Sequence, residues 1–96
     1  MSPLKRKKLG KIRSELDKLD NSLIKIIKKR TNLVNEVLKL KNKKKEIIDR
    51  RRIKIILKNI RKKSIANKID PKITNRIWKN MIWSYIDYEK RNFKKK

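Results

Sequence analysis

Two cations occupy positions that the apolar pattern of this chain assigns to its core. In "NSLIKIIKKRTNLVNEVLKLK", Asn21 to Lys41, a helix turning about 100° per residue aligns Leu23, Ile27, Val34 and Val37 on one stripe. Arg30 and Lys41 fall within about 20° of the centre of that stripe. Further along, Asp49 and Arg52 lie within about 40° of the direction set by Ile56, with Ile53 and Ile60 to one side. In the third apolar run, Glu89 aligns with Trp78, Ile82 and Tyr85. Taken singly, each reads as a long side chain that lays its stem on apolar surface and keeps its head in water. Arg13, about 80° off the centre of the first stripe, carries no signal alone. Five ionisable groups recurring in three stripes require partners, because an unpaired core charge is strongly unfavourable. Three cations against two carboxylates, with Arg13 as a further cation, leave a positive excess. That excess suits a pocket for a small dianion whose carboxylates are gripped by guanidinium forks.

The remaining composition narrows the chemistry. The chain has no cysteine and no histidine, which removes thiolate zinc sites, cysteine nucleophiles and the usual general base. Many enzyme classes drop out with them. The formal charge of +24, from 33 Lys and Arg against 9 Asp and Glu, would ordinarily suggest a phosphate-rich partner. Here the excess is mostly Lys and is accompanied by abundant Ile and Asn, as an AT-rich coding sequence produces wherever a surface tolerates it. The basic segments "LKRKK", "KNKKK", "DRRR" and "FKKK" surround the helices without forming one stripe, and aromatics are few, which argues against a nucleic-acid interface. No run approaches the length needed to span a bilayer, and the basic N-terminus continues into an amphipathic pattern without an apolar leader core. The expected setting is soluble and cytoplasmic.

One Gly and two Pro in 96 residues leave little to interrupt helices, so the fold class is all-α. A first helix is expected from about Leu9 to the lysine cluster, a second from about Ile47 to Lys63, and a third from Pro71 to about Phe93. "SIANKIDPK" reads as the last loop, with Asp70 as N-cap and Pro71 at the first helical position. A single helical domain over residues 9–93 is then preceded by a basic segment, 1–8, and followed by a lysine tail, 94–96. A first helix of some 33 residues is about 50 Å long, whereas a compact chain of this size has a radius of gyration of only about 12 to 13 Å. Burying its stripe calls for a second copy, and an entwined helical homodimer is expected.

With those residues in view, the sequence resembles the all-helical chorismate mutases. The resemblance runs from "IRSELDKLDNSLIKIIKKRTNLVNEVLKLK" through "DRRR" to "IDPKITNRIWKNMIWSYIDYE", about 80 of the 96 residues. Its most specific part is the first helix, where one Arg opens a leucine-rich segment, a second closes it and a Lys follows eleven residues on. The resemblance implies three helices per chain and an entwined dimer with two active sites, each borrowing an Arg from the neighbouring subunit. Carried across, Arg13 is the borrowed arginine and Arg30 binds a substrate carboxylate in its own subunit's site. Lys41 meets the ether oxygen and a carboxylate, and Asp49 and Arg52 take the acidic and basic positions at the start of the second helix. Glu89 stands where the family has Gln, or in some members Glu, beside the ether oxygen.

Three positions depart from the family pattern. Ile53 stands where a Glu usually holds the substrate hydroxyl, if "DRRRI" is aligned through Asp49 and Arg52. The register shifted by one puts Arg51 there and restores no carboxylate. Tyr85 replaces a small hydroxyl residue of the third helix, and the segment between Lys41 and Asp49 is about one residue short. The implied reaction is the intramolecular rearrangement of chorismate to prephenate, in phenylalanine and tyrosine biosynthesis, which needs no nucleophile, metal or redox cofactor. The chain would hold the flexible enolpyruvyl arm over the ring and stabilise charge on the breaking ether bond. Glu89 assists there only when it carries a proton. The nearest rival on the same scaffold is an isochorismate pyruvate-lyase, which the missing hydroxyl-binding Glu keeps open. Ile53 and Tyr85 keep open a degenerate, non-catalytic dimer of the same kind.

Overall fold

The structure is a computed structural model that describes residues 1–94. Three α-helices account for most of it: α1 over Pro3–Leu40, α2 over Arg50–Ala66 and α3 over Pro71–Asn92, with a short 3-10 turn over Lys44–Ile47 between the first two. The all-helical expectation holds, and three boundaries move. The first helix begins six residues earlier than its apolar pattern suggests, because Ser2 Oγ accepts the Lys5 backbone N–H at 3.2 Å and Pro3 suits the first turn. The basic segment 1–8 is therefore helical from Pro3 onward. Of the lysine tail, Lys94 is described, while Lys95 and Lys96 lie outside the described residues.

The second helix starts at Arg50 and not at Ile47. Ile48 is extended, with φ −94° and ψ 104°, and Asp49 is the N-cap, its carboxylate accepting the Arg52 N–H at 3.0 Å. At its other end α2 continues three residues past Lys63. Lys68 then adopts φ 57°. The Ile69 N–H reaches Ser64 O at 2.8 Å and the Lys68 N–H reaches Ile65 O at 3.1 Å, the paired bonds of a Schellman termination. Asp70 caps α3 as expected, accepting the Lys72 N–H at 2.9 Å with Pro71 at the helix start.

Two units make up the chain, residues 1–33 and residues 34 onward. The first is a stretch of α1 whose apolar stripe stays open in the single chain, with Ile12 at 55%, Leu19 at 65% and Leu23 at 51% exposure. The second holds the core: Leu38 from the end of α1, Ile47 from the 3-10 turn and Ile86 from α3 are buried, with Ile48, Ile53, Ile82 and Phe93 packed against them. Alongside, α2 and α3 pack as a hairpin. Near its turn the buried Ser64 hydroxyl lies 2.7 Å from Thr74 Oγ1 and donates to Ile60 O, so a polar group inside the interface is fully satisfied.

Candidate active site

The second unit brings together the two catalytic candidates that stand farthest apart in sequence. Lys41 follows the last residue of α1, and its N–H closes a final tight turn on Leu38 O at 3.1 Å. Because Leu38 is buried in the core, that turn aims the Lys41 side chain inward. Glu89 lies in the last turns of α3, one turn beyond Tyr85 and three residues beyond the buried Ile86. Lys41 Nζ donates to Glu89 Oε2 at 2.8 Å, with the two side chains only 17% and 10% exposed. At this burial the attraction is weakly screened and the desolvation cost is offset by a direct charge-assisted bond.

A broad, open hollow beside Lys41 is also lined by Glu46, Ile48, Asp49 and Arg50. Two of these had a signal in the sequence, Lys41 on the first stripe and Asp49 on the second. Glu46 and Arg50 had none, since neither shares an apolar stripe. The tertiary structure brings Glu46 in through the 3-10 turn, where its Oε1 accepts the Lys43 N–H at 2.8 Å while its own N–H meets Lys43 O at 3.0 Å. These two bonds pin a carboxylate at the rim of the hollow.

The other candidates have different settings. Asp49 and Arg52 are exposed and are joined through the helix cap and not as buried charges. Wheel geometry misplaces Asp49 because it precedes α2 and has no helical turn of its own. Ile53 faces inward and packs against the core cluster, which an apolar residue satisfies and a carboxylate would not. Tyr85 is half-buried, its ring edge-on to Tyr88 at 6.5 Å and 90°. Arg13 and Arg30 are exposed on α1 within residues 1–33. Of the five stripe charges, the single chain thus buries Lys41 and Glu89 alone, and they neutralise each other.

A partly buried ammonium beside a carboxyl group can donate to an ether oxygen and to a carboxylate of a bound dianion. When protonated, the carboxyl can donate as well. No group of three or more acidic residues that could hold a metal ion occurs among the described residues. No helix among them is long and apolar enough to cross a membrane. Curated proteins and solved structures yield no match to the chain. A family model does match: it is described as chorismate mutase type II and aligns with residues 12–90, a span that takes in every candidate from Arg13 to Glu89.

Proposed function

The chain belongs to the chorismate mutase type II family, and from that premise we propose that it rearranges chorismate to prephenate, as a step toward phenylalanine and tyrosine. The observation that carries this reading is the Lys41–Glu89 pair, an ammonium donating to a carboxyl group at 2.8 Å in a largely buried position. In this reading Lys41 donates to the ether oxygen as the C–O bond breaks, and Glu89, once protonated, donates to the same atom. Charge that develops only in the transition state is met by groups already in place. Arg30 binds a substrate carboxylate, and Arg13 reaches the site of a neighbouring subunit. Asp49 borders the hollow, Arg52 takes the family's basic position at the start of α2, Tyr85 sits one turn from Glu89, and Ile53 leaves the place of the family's hydroxyl-binding Glu without a carboxylate.

The site would be completed by a second copy of the chain, with a helical domain over residues 9–93 entwined with its twin. The open stripe of Ile12, Leu16, Leu19, Leu23 and Ile27 supports this, since an apolar run of that length is unfavourable to leave in water. Among the described residues a single chain buries three hydrophobic side chains well, too few for a stable independent core. The basic residues before Leu9 act as solvated surface, and the setting is the cytoplasm.

Incubating the purified protein with chorismate, and separately with isochorismate, tests the proposal. Prephenate from chorismate is the expected product. Free pyruvate from isochorismate, without prephenate, would assign the lyase reaction instead, and no turnover of either substrate would leave the chain a non-catalytic member of its family.

A further inference from the structure

Polar side-chain contacts join the end of α1 to α3, and two of them are long-range in sequence. One is the Lys41–Glu89 pair. The other is a hydrogen bond from Tyr88 Oη to Asn35 Oδ1 at 2.8 Å, part-buried and spanning 53 positions of sequence. If Glu89 is to donate to a substrate oxygen it must carry a proton, so its ion pair with Lys41 gives way to a weaker bond at the moment the geometry matters. The packing of Leu38 with Ile86 keeps the helices together while that happens, and a directional contact outside the pair can fix their rotation.

We propose that the Asn35–Tyr88 bond is a positioning device that keeps Lys41 and Glu89 aimed at the same point while the substrate intervenes, an inference that rests on the mutase reading. Tyr88 immediately precedes Glu89, so fixing its ring fixes the rotation of α3 at the turn that presents Glu89. The ring is held on more than one side: its neighbour Tyr85 meets it edge-to-face, and the Arg91 guanidinium carbon lies 6.0 Å from its centre. Arg91 is in turn restrained by Asp87 Oδ2 at 2.9 Å. On the other side, Asn35 lies on α1 one turn before the buried Leu38, which anchors the helix end that carries Lys41. Tyr88 Oη is spent on Asn35 Oδ1, which makes both positioning residues and not catalytic ones.

The test compares Tyr88→Phe, Asn35→Leu and Asn35→Asp with the wild type, well below their melting temperatures. Losing one neutral hydrogen bond that matters in the transition state lowers kcat by roughly threefold to tenfold with KM within about twofold. Asn35→Asp retains an acceptor oxygen and should stay near wild-type kcat, while the Tyr88→Phe/Asn35→Leu double variant should be no worse than the poorer single variant. Unchanged kcat in Tyr88→Phe, accompanied only by a lower melting temperature, would overturn the proposal. A readout independent of turnover is the coupling between Lys41→Met and Glu89→Gln in urea unfolding. That coupling should shrink in the Tyr88→Phe background, and an undiminished value refutes the positioning role even if the wild type proves not to act on chorismate.

Discussion

Lys41 Nζ and Glu89 Oε2 stand 2.8 Å apart although 48 positions separate them in sequence, and both side chains are largely withdrawn from water. An ion pair in that setting holds the end of α1 to the end of α3. It also keeps an ammonium and a carboxyl group ready where a ligand oxygen could enter between them. Stability and the proposed chemistry thus depend on the same contact, and they respond differently to its charge.

Glu89 can donate to an oxygen that gains negative charge only as the neutral acid, whereas an amide donates at any pH. Glu89→Gln should therefore keep or raise kcat, whereas Glu89→Leu, which can neither donate nor accept, should lower it by about tenfold or more. Initial rates of chorismate consumption check this. Equal loss in both variants would remove Glu89 from the ether-oxygen role.

Asp49 caps α2, and its charge also borders the hollow beside Lys41. Asp49→Ala should cost about 1 kcal/mol of stability through the lost cap, while Asp49→Asn should cost only a few tenths of that. Urea midpoints separate the two effects, and any fall in kcat/KM in Asp49→Asn then reports the charge and not the cap.

Lys68 occupies the left-handed region, φ 57°, at the position after the α2 cap where glycine ordinarily sits. Lys68→Gly should remove about 1 kcal/mol of steric cost, partly offset by the greater freedom of glycine in the unfolded chain. A net gain of roughly 0.5 kcal/mol in urea unfolding is expected, with no change in activity.

If Arg13 serves the neighbouring subunit's site and Arg30 its own, Arg13→Ala and Arg30→Ala chains should each be inactive as homodimers. Mixed dimers then contain one site with both arginines intact. Partial recovery of turnover after subunit exchange, confirmed by mass-tagged chains, is the expected outcome. Failure to recover activity would rule out shared sites.

Leu19 and Leu23 are exposed in the single chain, so a monomer would tolerate a charge there. In an entwined dimer the same change buries an unpaired carboxylate at the interface. Leu23→Glu should therefore dissociate the assembly or unfold it, as measured by sedimentation, whereas a chain that works as a monomer would show the same mass and melting temperature as the wild type.

What the sequence determined by itself was whatever depends on near neighbours. With almost no glycine or proline, helix was the only regular structure available, and Asp70 with Pro71 marked the start of α3 because capping is chemistry between residues two apart. Helical periodicity also singled out Lys41 and Glu89 as ionisable residues on apolar faces, since the period of a helix converts spacing directly into direction. Periodicity could not say which of the five marked charges would be buried. That was decided by where helices end: α2 begins after Asp49, leaving it a solvent-facing cap, while α1 ends just before Lys41 and turns it inward beside the buried Leu38. Nor could spacing reveal that Glu46 borders the hollow, that Ile47 belongs to the core ahead of α2, or that Asn35 meets Tyr88. Each of these depends on elements brought together across a bend or across some fifty residues, and such contacts are set by how the end of α1, the 3-10 turn, α2 and α3 pack within residues 34 onward, which no local pattern encodes.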